Sequence, residues 1–404
     1  MPAPSAHPQH LAPYAMDVSN SRGRRYSEPP HPYRNDYARD RDRVIHSRAF
    51  RRLEAKTQVF TTRYSDHFRN RLTHTLEVAQ IARTVAGALH LNTDLAEALA
   101  LVHDIGHPPF GHAGEHRLNQ LMGQYHARFD HNLHALHIVE SFEQRYLAFP
   151  GLNLTFEVRE GVIKHSRDYS AEEYPELSEY LLDLSPPLEA QLIDYVDEIA
   201  YNTADLDDGV EAGLITIEQI LGGVPLVNNF YREIESQHPN ARAQLIFNES
   251  LKRALDYFAT DLIENTRHQI SSFGIASVEA VRRHHLAAAG QAMRLAGFSN
   301  EAAAASRLGI KNFLFKNLYN HPAIVEDRDR GVTALDELFR YYMKHPDAMP
   351  PFYAAEAAAG NANLPVGVSA ASSSARPPHL VVLDYVAGMT DHFLLRTHRE
   401  LIGR

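Results

Sequence analysis

No cysteine occurs in the 404-residue chain, so disulfides and thiolate chemistry are excluded and any metal site must be built from histidine and carboxylates. The same absence fits a reducing compartment, and a cytoplasmic location is the expectation. No apolar run approaches the length needed to cross a bilayer. With 44% hydrophobic and 22% charged residues the composition is that of a soluble globular protein, and no membrane partner is expected. The opening stretch, MPAPSAHPQHLAPYAMDVSN, lacks a basic start followed by an apolar block, so residues 1–30 read as a flexible tail and not as a secretory signal. Strand-like alternation is scarce, and no repeat of fixed period is present.

What is there is helical periodicity. Leu72, Leu76, Ala79, Ala82, Val85, Ala86 and Leu89 form one apolar stripe, with His74, Val78 and Ile81 on the adjoining face. A second helix, capped by Asn92 or Thr93, must stop near Asp104 because Gly106 and Pro108-Pro109 break it. Further helices are expected over Gly114–Met122, Asn132–Arg145, Pro187–Asp207, Asn248–Thr266, Ser277–Leu295 and Ala303–Tyr319. The stretch Ala354–Pro378, rich in Ala, Gly, Ser and Pro, reads as a mobile insertion within a C-terminal helical region over 231–404, which follows a core over 31–230. The net charge of -10 argues against a surface that binds nucleic acid throughout. Yet Arg22 to Leu72 carries 14 Arg or Lys against 6 Asp or Glu, either a solvated basic helix pair or a positive wall facing a polyphosphate.

Histidine supplies the chemistry. Eight of the 25 lie between His103 and His137. His103 and Asp104 are adjacent at a helix end, where both side chains can lean toward one ion, and the short connection after the preceding helix folds His74 back beside them. A later helix carries Asp197, Tyr201 and Asp205 at i, i+4 and i+8 on one face, with Asp194 one turn earlier. Spacing alone leaves Asp194 and Asp197 equal as the fourth ligand. Imidazole and carboxylate donors suit Mg or Mn first, and Fe or Zn as well.

The ordered set SRAFRRLEAKTQVF, RNRLTHTLEVAQIAR, HDIGHPPFGHAGE, FDHNLHAL and DYVDEIAYNTADLDDG, with FLFKNLYNHP and DYVAGMTD near the end, resembles the deoxyguanosine triphosphate triphosphohydrolase (dGTPase) family of HD-domain phosphohydrolases. The resemblance implies an all-α fold, an HD-domain helical bundle with additional C-terminal helices. It implies a metal held by His74, His103, Asp104 and Asp197, since the family's last ligand stands four residues before a tyrosine, here Tyr201. It implies His112 as general acid with Glu115 as its acidic partner. It also implies substrate contacts from Gln58, Arg71, His107, His131, Lys164, Tyr201 and Asp205, with Tyr201 under a deoxyribose and Asp205 on its 3′-hydroxyl.

The implied activity is hydrolysis of dGTP or several deoxynucleoside triphosphates to deoxynucleoside and triphosphate, by in-line attack of an ion-acidified water on the α-phosphorus. A nucleotide or single-stranded nucleic acid as effector, and a homo-oligomer, are further expectations. Two alternatives are HD-type hydrolysis of another nucleotide and a regulatory binding module with weak catalysis.

Overall fold

The computed structural model describes residues 10–59, 68–287, 294–361 and 376–403, which are helical and contain no β-strand beyond isolated bridges. Among the described residues no helix is long and apolar enough to cross a membrane. Helices α1 (Asp36–His46) and α2 (Arg48–Arg52) precede the long α3 (Arg71–Ala88). Asn70 caps α3 reciprocally: its side chain accepts from Thr73 N at 2.9 Å, and Thr73 Oγ1 accepts from Asn70 N at 3.1 Å. The cap starts the helix at Arg71, so Arg71 and His74 lie one turn apart on one buried face.

Helix α4 (Thr93–Val102) is capped by Asn92 and buried on nearly every side, which makes it the centre of a first core. After its last turn come α5 (Gly111–Gly123), α6 (His131–His137, prolonged by the π-helical turn Ile138–Phe142), α7 (Phe156–Ile163) and α8 (Leu188–Glu211). Helices α1, α3, α7 and α8 pack around α4. Next, α9 (Ile217–Gly223), α10 (Pro225–Gln237), α11 (Ala243–Ser272) and α12 (Val278–Ala287) extend this core, with α11 lying along α3 and α8.

A second core forms from the last part of the chain, after a run whose Ile310, Phe313, Leu314 and Leu318 still pack in the first. The run from α13 (Asn300–Ala304) through π-helical Ala305–Lys311, α14 (Asn312–Leu314) and π-helical Phe315–Tyr319 leads into α15 (Pro322–Lys344), α16 (Pro351–Asn361), α17 (Pro378–Ala387) and α18 (Asp391–Leu401). Leu335, Leu338 and Phe339 of α15 pack with Val381, Val382 and Val386 of α17, Leu394 of α18, and Leu118, Leu121 and Met122 of α5. Helix α5 therefore belongs to the second core although it follows directly on the helix at the centre of the first.

The structure corrects several expectations. The N-terminal segment is no free tail from residue 10 on: Met16 N donates to the buried Glu189 carboxylate at 2.9 Å, Arg22 N donates to Glu157 at 2.8 Å, and Ala15 and Met16 are buried. Residues 1–9 lie outside the described residues. The insertion expected over Ala354–Pro378 begins inside α16, since an alanine run is a good helix former, and Ala357 is buried in the second core; 362–375 lie outside the described residues. Helix α12 is described as far as Ala287, and 288–293, which fall within the helix expected to Leu295, lie outside the described residues; α10 and α15 were not anticipated.

The turn joining the cores is held by close backbone contact. A Cβ at Gly106 would stand 2.0 Å from His131 O and 2.5 Å from Ala135 N, so the turn can lie on α6 only without a side chain there. Gly106→Ala is expected to destabilise by about 1–3 kcal/mol through overpacking, seen as a lower urea midpoint.

Candidate functional site

Between the two cores opens a cavity of about 900 Å³. Gln58, Arg71, His74, Asp104, His107, His112, His131, Asp197, Tyr201 and Asp205 all line it. His103 and Glu115 stand behind this lining, in contact with it.

His74, His103 and Asp197 converge on one point, with Asp104 beside His103. His103 Nδ1 lies 2.6 Å from Ala100 O, which fixes the proton there and turns the Nε2 lone pair inward. That Nε2 is buried without a hydrogen-bond partner among the described residues, 3.6 Å from Asp104 Oδ1 and 3.8 Å from Asp197 Oδ1. His74 Nε2 is 2.8 Å from the same Asp197 oxygen. Burial, the largest single influence, lowers the His74 pKa, but Asp197 and Asp104 together outweigh it and the net shift is upward. Burial likewise opposes ionisation of Asp197, and the nearby imidazoles, His74 first, reverse that and hold it below the ordinary carboxylate range. An inward-facing lone pair, an imidazole, the buried Asp104 carboxylate and the half-buried Asp197 carboxylate are donors of the kind that suit a divalent ion, and a cation would replace a proton between His74 and Asp197. His74, His103 and Asp197 have ligand atoms within 4.8 Å of one another. Asp194 has another role: its carboxylate meets His165 Nδ1 at 2.6 Å, pairs with Arg294, and accepts from Ser166 N at 2.9 Å.

Asp104 also joins this centre to a second cluster. Its Oδ2 accepts from Arg71 Nη1 at 2.7 Å, and its Oδ1 is 3.0 Å from His107 Nδ1, off the line of a hydrogen bond. Burial raises the Asp104 pKa, but the charge of Arg71 and the two adjacent imidazoles drive it well below the ordinary value. The His107 ring stacks on His131 with centroids 4.1 Å apart and meets His112 at 5.2 Å. Glu115 holds both neighbours: Oε2 is 3.2 Å from His112 Nδ1, and Oε1 is 3.0 Å from His131 Nδ1 and accepts from His131 N at 3.1 Å. Burial alone would keep Glu115 protonated, yet these hydrogen bonds, that of His112 first, push its pKa far below the ordinary range, so it is a fixed anion. His107, His112, Glu115 and His131 also have ligand atoms close enough to hold an ion.

On the opposite wall, Tyr201 and Asp205 project from α8 and Tyr319 from the π-helical turn Phe315–Tyr319. Tyr319 hydroxyl donates to Asp205, and burial, only partly offset by that bond, pushes the Asp205 pKa up to about 7. Gln58 Oε1 is buried without a partner among the described residues and lies at the cavity.

Lys164 does not reach the cavity. Its Nζ donates to Glu160 at 2.9 Å and to Leu181 O and Leu184 O at 2.7 Å each, so all three N–H groups are committed. Its neighbour His165 lines the cavity instead, held by Asp194; the carboxylate weighed as a metal ligand was the clue to this imidazole. The N-terminal basic wall is also corrected. Arg24 pairs with Asp36 and Asp40, Arg25 with Glu140, Arg43 with Glu28, and Arg69 with Glu77, which leaves Arg71 as the described cation of that stretch at the cavity. The other cavity cations, Arg307, Lys311 and Arg328, come from the C-terminal part. Arg307 and Lys311 stand at i and i+4 just before FLFKNLYNHP, within the helix expected over Ala303–Tyr319, and their spacing is the signal that marks them.

Comparison with known proteins agrees with this layout. Residues 71–202 match the HD domain, and 296–400 match the phosphohydrolase-associated domain. The chain is 42% identical over 404 residues to a deoxyguanosinetriphosphate triphosphohydrolase-like protein of Ralstonia nicotianae, covering 100% of this chain and 97% of that one. Proteins of the same description from Ralstonia pickettii and Bordetella pertussis are each 43% identical, over 97% of this chain and 95% and 96% of theirs.

Two outcomes follow from the geometry. Purified protein is expected to carry a divalent metal by elemental analysis, and Asp104→Ala to lose most of it, since one ligand change costs about 10–100-fold or more in affinity. A carboxyl whose folded pKa is raised binds its proton more tightly when folded, so its contribution to stability falls as pH climbs from the unfolded value, near 4, through about 7. Asp205→Asn therefore raises the Tm of the metal-free protein more at pH 8 than at pH 5, with a gain bounded by about 4 kcal/mol.

Proposed function

The chain belongs to the HD-domain phosphohydrolase family of deoxyguanosinetriphosphate triphosphohydrolase-like proteins, and from that premise we propose that it hydrolyses deoxynucleoside triphosphates to deoxynucleoside and triphosphate. The observation that carries the reading is that one cavity joins the His74, His103 and Asp197 cluster with Asp104 beside it, the Glu115-held His112, and cations from distant parts of the chain. Its volume of about 900 Å³ lies within the range of small-molecule sites.

A divalent ion held by the donor set would supply an acidified water and neutralise phosphate charge. The chain's own residues do the rest. Arg71 presents its guanidinium where a phosphate would lie, already oriented by Asp104, and Arg307 and Lys311 offset the negative charge of the polyphosphate from the other wall. The oxygen of water bonds to the α-phosphorus while the bond from that phosphorus to the sugar O5′ breaks. His112 donates the proton that O5′ takes up: Glu115 holds its Nδ1, so Nε2 is the nitrogen directed to the leaving group. Tyr201 packs under the sugar, and Asp205 with Tyr319 receives the 3′-hydroxyl.

The test incubates the protein with each deoxynucleoside triphosphate, singly and mixed, with Mg or Mn, and resolves nucleoside, monophosphate and triphosphate. The expected products are deoxynucleoside and intact triphosphate, with kcat reduced about 10²–10⁴-fold in His112→Ala and abolished in Asp104→Ala. Monophosphate would reveal a different HD chemistry, and tight nucleotide binding without product would favour a binding module.

A further inference from the structure

The two loops that frame the cavity mouth, Thr57–Gln58 and Phe110–His112, belong to distant parts of the chain and share no backbone hydrogen bond. Both are held by one side chain from the C-terminal part. Asp391, in the first turn of α18, accepts from Thr57 N through Oδ2 at 2.9 Å and from Phe110 N through Oδ1 at 3.2 Å. The carboxylate is buried, and it sits at the N-terminal end of α18, where the helix dipole favours its negative charge. Beside it Lys56 Nζ donates to His107 O and, at 3.3 Å, to Ala387 O, so the same C-terminal elements grip the catalytic turn at a second point.

Each of these bonds acts directly beside a side chain of the site. Thr57 precedes Gln58. Phe110, in the left-handed region at φ 62, is the N-cap of α5 and sets the direction in which His112 and Glu115 leave the turn. The Phe110 ring is wedged against α15, where a Cβ at Gly331 would stand 2.6 Å from it, so packing fixes the ring while Asp391 fixes the amide. A left-handed phenylalanine is a costly conformation that must be held from outside.

We propose that Asp391 is a positioning residue that sets the separation between Gln58 and the His112–Glu115 pair by bridging the two loop backbones with one carboxylate. The phosphohydrolase-associated segment thus completes the geometry of a site whose reacting groups lie in the HD segment. The kinetic part of this proposal rests on the triphosphohydrolase reading; the structural part does not.

The test has two arms. Residue-resolved amide hydrogen exchange compares wild type, Asp391→Asn and Asp391→Ala, with no substrate present. Thr57 and Phe110 amides are expected to exchange at least about 10-fold faster in Asp391→Ala, while the amides of α4 and α8 keep their protection. Unchanged exchange at both amides, or an equal speeding over the whole chain, would overturn the proposal. In the second arm, kcat/KM for the deoxynucleoside triphosphate the wild type turns over is expected to fall about 10- to 100-fold in Asp391→Asn, and by less than about 3-fold when the same change is made in His112→Ala. An equal loss in both backgrounds would mean general destabilisation and reject the positioning role. If the wild type turns over no such substrate, the triphosphohydrolase reading fails, and the exchange arm alone decides for or against the bridge.

Discussion

A charge taken out of water must be paired, and the site is organised around the burial of Asp104. Its two oxygens face Arg71, His103 and His107, and each partner brings an element with it: Arg71 the first turn of α3, His103 the end of α4, and His107 the turn that runs on to α5. The carboxylate therefore stands beside the His74, His103 and Asp197 cluster and is the charge that holds the buried Arg71 guanidinium at the cavity. Arg71 would have little reason to lie buried without it, and the turn after α4 would have one anchor fewer. The same pattern recurs at Glu115, which orients two imidazoles with one carboxylate, and at Asp194, which orients His165.

Much of this was legible in the sequence because it is local. The apolar stripe along α3, the break at Gly106 and the i, i+4, i+8 series on α8 are consequences of helical period, and the structure brings Asp197, Tyr201 and Asp205 to one cavity as that series implies. Asp194 and Asp197 could not be separated by spacing, since three residues on a helix differ by about 60° in direction and either can lean toward an ion. Their partners distinguish them: His74 for Asp197, His165 and Arg294 for Asp194.

What could not be read depends on contacts between residues far apart in the chain. Lys164 resembles a free surface cation until the carbonyls of Leu181 and Leu184 fold over it. The arginines before Arg71 resemble a phosphate-binding wall until their carboxylates, some more than 100 residues away, are in place. Residues 10–30 lack periodicity because they are extended and are held by side chains of α7 and α8, so no local pattern marks them as ordered. The π-helical turns of Ala305–Tyr319 shift the angular phase of the helix, which puts Arg307, Lys311 and Tyr319 on the same cavity wall in a way that a 3.6-residue period does not anticipate.

The placement of the cavity on the seam between two cores has a thermodynamic consequence. Each core buries its own apolar side chains, and the halves are joined through α5 and through polar contacts such as Thr57–Asp391, Lys56–Ala387 and His137–Asp384. A ligand that touches both walls binds only when the halves are docked, and its binding free energy adds to their cohesion by mass action. The occupied molecule would then melt as one cooperative unit, and the empty one would loosen first along the seam. The concentration of ligand would in this way govern the mechanical unity of the protein as well as its turnover.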